Sequence, residues 1–159
     1  MGLGDAVEAF LLSCRVKGCT NLTLRTYQEA LRRFEAQVGE DLTSLTLPSI
    51  QRYFAILQSQ GLRQVTIHKH YRAVRRFFAW CVEAQLLTSH PLQRFQMKRP
   101  QTFPHVPTDD DVNGLLKACK HDTDGTKGRA LVLLFADTGL RVTEALKLHV
   151  EDLNLGLRS

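Results

Sequence analysis

The sequence lacks the features that mark membrane and secreted proteins. No apolar run among its 159 residues approaches the roughly 20 residues that a membrane-spanning helix needs. The first ten residues, MGLGDAVEAF, lack the basic-then-apolar pattern of a secretory signal. These two absences predict a cytoplasmic protein. The content of 43% hydrophobic and 23% charged residues is ordinary for a globular chain, whose length fits one domain or two small ones.

The cysteines are scattered along the chain, and their spacing does not indicate a metal site. The four cysteines, at positions 14, 19, 81 and 119, include no C-x-x-C pair. The separation of Cys14 and Cys19 is loose for zinc, and no histidine pair follows at ligand spacing. Cys14 and Cys81 lie on apolar stripes of predicted helices, which favours buried free thiols. We therefore predict no metal site and no disulfide.

Charge is unevenly distributed along the chain. Residues 1–99 hold 14 Lys and Arg against 7 Asp and Glu, a net charge of +7. Residues 100–159 hold 7 against 9, a net charge of −2. Such a difference suggests two units, of which the first faces an anionic partner.

Helical periodicity dominates the first 86 residues. Apolar residues recur at i, i+3, i+4 and i+7, and a glycine follows each of the first three segments. The predicted helices cover about 4–17, 22–38, 47–61 and 63–86. Four amphipathic helices with short connections predict a compact helical bundle, so the fold class is mainly α.

A proline-rich segment separates this bundle from the C-terminal part of the chain. Residues 88–107 contain four of the five prolines and little periodicity. Because proline removes backbone donors and disfavours helix around itself, this stretch predicts an extended linker. We place the domain boundary near residue 99, with 100–107 as the linker proper.

The last part of the sequence predicts further helices. Thr108 and Asp111 form a T-x-x-D capping pattern that opens a helix ending near Lys120. The segment GRALVLLFAD is apolar almost all round, which predicts a buried central helix. RVTEALKLHV predicts another helix, on which Val142, Ala145 and Leu146 form a buried stripe. The terminal LNLGLRS could begin a strand.

The fourth predicted helix carries an unbalanced positive charge. Between Gly61 and Val82 there are five Lys and Arg and no acidic residue. Lys69, Arg72 and Arg76 recur at i, i+3 and i+7 and so share one face. Like charges on one helix face repel each other, whereas a polyanion would make that face favourable because each neutralised phosphate releases counterions. A helix of this kind fits the major groove of duplex DNA.

The sequence therefore predicts a nucleic-acid surface, and a solvated basic face is the alternative. The second helix and the start of the linker contribute further candidates. The predicted DNA-binding residues are Thr23, Arg25, Arg32, Arg33, Thr66, His68, Lys69, Arg72, Arg75, Arg76, Lys98 and Arg99. A lone histidine on a helix is more often packed or simply exposed, so His68 and its neighbour His70 carry little weight.

Arg141 stands at the start of a helix, just after a glycine turn. Its planar guanidinium matches phosphate oxygens bidentately, and Glu144 at i+3 is placed to orient it. With the stripe from Val142 to Leu146 buried, Arg141 would lie partly desolvated at its margin, which suits a phosphate clamp. An ordinary surface Arg–Glu pair is the alternative that spacing alone favours.

Three segments together resemble the tyrosine site-specific recombinases, the phage-integrase and Xer-type family. DTGLRVTEALKL at 137–148 looks like the box that carries the family's first catalytic arginine. TLRTYQEALRRF at 23–34 is similar to the second helix of the core-binding domain. VTIHKHYRAVRRFFAWCVEAQLLTSHPL at 65–92 resembles the fourth helix and the exit towards the linker. Their order and spacing extend the match over nearly the whole chain.

The resemblance implies a fold and an activity. Residues 1–99 would form a SAM-like core-binding domain that grips double-stranded DNA, and residues 108–159 would open the catalytic domain. Family members cut DNA with a tyrosine that forms a 3′-phosphotyrosyl link, and they need no metal, ATP or other cofactor. Arg141 matches the first catalytic arginine, and Glu144 matches the acidic residue that supports it. Other recombinase protomers are further candidate partners.

The family's remaining catalytic groups are not found in the sequence. The hairpin lysine, the H-x-x-R box and the tyrosine nucleophile would lie beyond residue 159, whereas Tyr27, Tyr53 and Tyr71 lie on core-binding helices where packing is expected. We therefore predict a DNA-binding portion that does not cleave DNA by itself. Two other hypotheses remain open: a catalytic piece that acts once the missing segment is supplied, and a helical interaction or decoy protein that pairs with an intact recombinase.

Overall fold

A computed structural model describes residues 2–39, 41–101, 103–104, 106–119 and 125–152 of the chain. They contain eight helical segments and no strand, apart from an isolated antiparallel bridge between Gly2 and Asp41. The mainly helical prediction is thereby confirmed. The chain divides into two compact units, Met1–Thr102 and Phe103–Ser159. Within the described part of the chain, no helix combines the length and the apolarity that crossing a membrane requires.

Four helices form the first unit: α1 (Leu3–Val16), α2 (Asn21–Val38), α3 (Leu47–Ser59) and α4 (Gln64–Glu83). These bounds lie within three residues of those predicted. The hydroxyls of Thr20 and Thr46 accept backbone N–H groups at the starts of α2 and α3, which satisfies donors that a helix terminus otherwise leaves free. Gly18 and Gly61 adopt positive φ after α1 and α3, a conformation that glycine reaches without a Cβ clash.

Aromatic residues fill the core between these helices. Phe34 packs edge-on against Tyr53 and Phe78, with centroid distances of 5.0 and 5.9 Å. Phe10 and Phe77 pack similarly at 5.7 Å. Cys14 and Cys81 are both buried, as expected for thiols on apolar stripes, and burial raises the pKa of both.

The chain reverses direction after α4 and packs back on the bundle. Leu86 N–H donates to the Cys81 carbonyl at 2.8 Å, and Gln85 N–H donates to the Val82 carbonyl at 3.0 Å. This pair of bonds is the Schellman arrangement, whose reversing residue is usually glycine. Here it is Gln85, with φ of 59°.

Residues 88–97 consequently do not form the extended connector predicted from their prolines. Leu92 is fully buried, and Phe95 and Met97 pack against the core. The Phe95 ring stacks on Phe54 at 6.4 Å. The prediction was wrong for these ten residues because their apolar side chains are buried against the bundle. This packing holds the segment in place although it has no helical periodicity.

The second unit contains α5 (Asp109–Ala118), α6 (Gly125–Thr138), α7 (Val142–Ala145) and a 3₁₀ turn (Val150–Asp152). Thr108 caps α5 as predicted: its hydroxyl accepts the Asp111 N–H at 3.3 Å, and Asp111 Oδ2 accepts the Thr108 N–H at 2.8 Å. Arg129 of α6 donates to the Leu116 carbonyl of α5 at 3.2 Å. The strand suggested for LNLGLRS lies outside the described residues.

The prediction that α6 is a buried central helix is wrong for the structure described. None of its residues is buried, and the side chain of Leu131 is 49% exposed. Among the described residues of this unit, α5 is the helix that packs against α6. One neighbouring helix covers only one side of a helix that is apolar almost all round.

Candidate nucleic-acid interface

An open groove of about 980 Å³ runs along the first unit between α2, α4 and the turn at residues 88–93. We call it the basic groove. Lys69, Arg72, Arg75 and Arg76 of α4 line it, and none of the acidic residues that the structure describes does. The groove therefore gathers four of the five Lys and Arg that set the fourth helix apart in the sequence.

Lys69 and Arg72 are the cations of this groove that are free to bind a ligand. Both are exposed, and neither makes a hydrogen bond or an ion pair with the described residues. Their spacing of three residues places them one turn apart on the same helix face. Two neighbouring positive charges without a protein partner can neutralise an anion at little structural cost.

The other groove cations already have partners. Arg76 forms an ion pair with Glu83, with Nη1 and Oε1 3.3 Å apart. Arg75 donates to the Tyr71 hydroxyl at 2.7 Å and to the Phe95 carbonyl at 3.3 Å. Arg75 thus braces the segment after α4, and an anion that recruits Arg76 must compete with Glu83.

The remaining predicted DNA-binding residues are distributed around the groove rather than in it, except Thr23 on its α2 side. Arg33 donates to the Gln60 side chain, and Thr66 and His68 are half-buried. The residues that are exposed and do not line the groove are Arg25, Arg32, Lys98 and Arg99.

His70 and the three tyrosines make packing contacts within the first unit. His70 Nδ1 lies 2.7 Å from the Tyr53 hydroxyl, and burial lowers the pKa of His70. Burial likewise raises the pKa of Tyr53. Tyr53 and Tyr71 are buried, as expected for packing residues. Tyr27 is half-buried and packs on Phe10, with ring centroids 5.4 Å apart.

Part of the groove lining was not predicted from the sequence. Thr26 and Tyr27 follow Thr23 at i+3 and i+4, so the helical period of α2 could have identified them. Thr88, Ser89, His90 and Gln93 also line the groove. No periodicity marks these four, because the fold of the segment after α4 places them there.

Arg141 and Glu144 of the second unit form the predicted pair. Glu144 Oε2 accepts the Arg141 backbone N–H at 2.8 Å, and Oε1 accepts Arg141 Nη1 at 3.0 Å. The backbone bond and then the side-chain bond from Arg141 lower the pKa of Glu144. One carboxylate thus caps α7 and orients the guanidinium.

The predicted burial around Arg141 is not observed. Its side chain is 82% exposed, and Val142 and Leu146, the expected buried stripe, are 62% and 81% exposed. The reason is that α7 is a single turn, and none of the described residues packs over this stripe.

Across the described part of the chain, no three His, Cys, Asp or Glu side chains gather in a way that could hold a metal ion.

Comparisons with known proteins match both units. Residues 7–85 match the family model of the phage integrase N-terminal SAM-like domain, and residues 106–158 match that of the phage integrase family. The tyrosine recombinase XerC of Mycobacterium sp. (strain JLS) is 32% identical over 165 residues, covering 97% of this chain and 54% of XerC. XerD of Oceanobacillus iheyensis is 26% identical over 157 residues, covering 94% of this chain and 53% of XerD. The chain thus spans about half the length of these relatives.

A solved structure agrees with the fold. The Tn1549 transposon integrase, in complex with transposon right end DNA, has a TM-score of 0.77 and 21% sequence identity. The match covers 97% of this chain and 50% of that one. The resemblance read from the three sequence segments is confirmed by both family models and by the recombinase relatives. The chain belongs to the phage integrase family of tyrosine recombinases.

Proposed function

We propose that residues 1–99 bind double-stranded DNA through the basic groove, as the DNA-binding portion of a tyrosine recombinase. Lys69 and Arg72 carry this proposal, because both are exposed in a groove whose described lining contains no acidic residue. Each phosphate that they neutralise would release condensed counterions, which is the main source of sequence-independent affinity for DNA. The integrase neighbour bound to transposon DNA and the recombinase relatives support the same assignment.

The proposal assigns roles to the whole chain. Residues 1–99 are the core-binding domain, 100–107 the linker, and 108–159 the beginning of the catalytic domain. The division at Thr102 and the family matches ending at 85 and beginning at 106 support this assignment. A DNA ligand places the chain where the DNA is, which we take to be the cytoplasm.

A fluorescence-anisotropy titration with a duplex oligonucleotide, repeated at several salt concentrations, tests the groove. We expect affinity to fall steeply with salt, with a slope of about −0.9 per phosphate contacted. The double substitution Lys69→Ala with Arg72→Ala should weaken binding and flatten the slope by roughly two phosphate contacts.

The matched control is Arg15→Ala with Arg52→Ala, which removes the same charge from exposed positions of α1 and α3 outside the groove. It should leave affinity and slope nearly unchanged. Equal effects of the two double variants would show that net charge acts without a specific surface. Absence of binding at low salt would leave the groove a solvated basic face.

We further propose that Arg141 binds the phosphate that reacts in recombination and that Glu144 holds it in place. The two hydrogen bonds between these residues support this role, because they fix the guanidinium on an exposed surface open to a ligand. The test is strand cleavage by a polypeptide that joins this chain to the remaining half of a recombinase relative. Arg141→Ala should abolish cleavage and leave duplex binding intact, and full activity of that variant would refute the role.

Exposed apolar side chains on the second unit favour one further candidate, contact with another recombinase protomer. The exposed residues of this unit include Leu131, Leu133, Val142 and Leu146, and an exposed apolar surface commonly marks a protein contact. A complex with an intact recombinase that survives nuclease treatment would support this candidate. A complex that dissociates when its DNA is digested would show that the two proteins are joined only through DNA.

A further inference from the structure

We infer that the turn at residues 88–93 is a second DNA-contacting wall of the basic groove, on which Thr88, Ser89 and Gln93 bind phosphate oxygens. This inference rests on the proposed function, because it assigns an additional contact surface to the same DNA ligand. The turn lies between the two family matches, which end at residue 85 and begin at 106.

The path of the chain after α4 forms this wall. Gln85 adopts a positive φ of 59°, a conformation that costs energy for a residue with a Cβ. The reversal that it makes directs the following residues back over α4 instead of away from the bundle. The native packing of those residues must therefore offset the local strain.

Several contacts hold the turn against the bundle. The His90 ring accepts the Leu92 N–H on Nδ1 at 3.0 Å, so its Nε2 carries the hydrogen and donates to the Arg75 carbonyl at 3.1 Å. The Tyr71 hydroxyl donates to the Phe95 carbonyl at 3.0 Å. With Leu92 fully buried, the turn is anchored at both ends. A wall fixed in this way does not have to be ordered when a ligand binds.

The groove side of the turn offers unused polar groups. Thr88, Ser89 and Gln93 are exposed and line the groove. Within the described part of the structure, their side chains have no hydrogen-bond partner. Hydroxyl and amide donors are common ligands of DNA phosphates, where they position the protein without reading sequence. These free donors line the same groove as Lys69 and Arg72, which suits a phosphate backbone bound along that groove.

The test adds one charge to the turn and compares it with the same charge nearby. Ser89→Lys places a cation on the proposed wall, and Gln96→Lys places one on an exposed residue of the same segment outside the groove. In the anisotropy titration with duplex DNA, Ser89→Lys should tighten binding and steepen the salt slope by about 0.9. Gln96→Lys should change the slope much less. Fluorescence of Trp80, the single tryptophan, checks that both variants fold.

A neutral series provides a second measurement. The triple substitution Thr88→Ala, Ser89→Ala and Gln93→Ala should weaken binding by about 10-fold or more, because three neutral hydrogen bonds are lost and each contributes at least about 2-fold. The salt slope should stay unchanged, because no charge is removed. Gln96→Ala is the matched control and should bind like the parent chain.

The outcomes separate this inference from the proposed function. If the parent chain binds DNA and Lys69→Ala with Arg72→Ala flattens the slope, the groove is the binding surface. Equal behaviour of Ser89→Lys and Gln96→Lys, together with an unaffected triple variant, would then overturn the second wall alone. If the parent chain does not bind at low salt, both proposals fall.

Discussion

The two units of this chain are similarly helical in sequence and differ sharply in burial. Every buried apolar side chain among the described residues lies at or before Leu92. In the second unit α5, α6 and α7 contain none, although α6 carries one of the most apolar segments of the sequence. The difference shows that an apolar pattern identifies which face of a helix is suited to burial. Whether that face is buried depends on the neighbouring elements that pack against it.

Substitution in the core should produce the largest contrast between the units. Phe77 is fully buried against Phe10 and beside Trp80. We expect Phe77→Ala to lower the free energy of unfolding by about 3–5 kcal/mol, from lost apolar contact and the cavity left behind. Urea unfolding followed by Trp80 fluorescence measures this change.

Leu12→Ala on α1, where the side chain is 59% exposed, is the control within the first unit and should cost less than about 1 kcal/mol. Leu131→Ala in the second unit should leave the Trp80 transition unchanged. A large loss for Leu131→Ala would show that the stability of the first unit depends on α6.

Hydrogen exchange should reproduce the contrast along the backbone. Amides in the buried turns of α1 and α4 open only with the unfolding of the first unit, whereas α5 and α6 lack buried side chains that would hold them closed. We expect protection in residues 1–90 to exceed that in 108–152 by about 100-fold, a difference of about 2.7 kcal/mol. Equal protection would mean that the second unit is stabilised by more than the contacts described.

The reversal at Gln85 offers a smaller test within the first unit. Because glycine accepts positive φ without a Cβ clash, Gln85→Gly should raise the free energy of unfolding by about 0.5–1 kcal/mol, after allowing for the greater freedom of glycine in the unfolded chain. The urea midpoint of Trp80 fluorescence should rise. Gln96→Gly, at a residue without positive φ, should lower it slightly. A lower urea midpoint in both variants would show that the Gln85 side chain itself contributes to stability.

The helix caps of the two units should respond differently to acid. Hydrogen bonds from the Thr108 backbone N–H and hydroxyl lower the pKa of Asp111, so this carboxylate stabilises the α5 cap above its ordinary pKa of 3.8 and loses that effect as pH falls through the lowered value. The α3 cap joins Thr46 to the Ser49 hydroxyl, which does not titrate. NMR of the Thr108 and Thr46 amides from about pH 6 to about pH 3 should show a change at Thr108 alone. A parallel change at both caps would indicate general acid unfolding.

Much of the fold was accessible from sequence because its determinants are local. The bounds of the first four helices follow from apolar period and glycine stops, and the caps at Thr46 and Thr108 depend on residues three positions apart. The candidate site was accessible in part. The spacing of Lys69 and Arg72 places them on one helix face. Arg141 and Glu144 could be paired from sequence because they are three residues apart on a helix.

The rest depended on contacts between residues far apart in the chain. Whether Arg75 is free or bound is set by the carbonyl of Phe95, twenty residues further along the chain. Whether residues 88–97 extend or fold back is set by the contacts of Leu92 and Phe95 with the bundle. Likewise, the apolar character of α6 was evident, but its exposure was not. Periodicity describes one element at a time, and these outcomes depend on two.

The sequence by itself determined that this protein is helical, that its first part is basic on one face, and that it belongs with the phage integrases, since period, charge and motif spacing are local properties. Tertiary structure decided which cations stay unpaired, how the turn at 88–93 completes a groove, and which apolar faces are covered. The physical reason is that burial and ion pairing are properties of neighbours in space, and the chain acquires those neighbours only by folding.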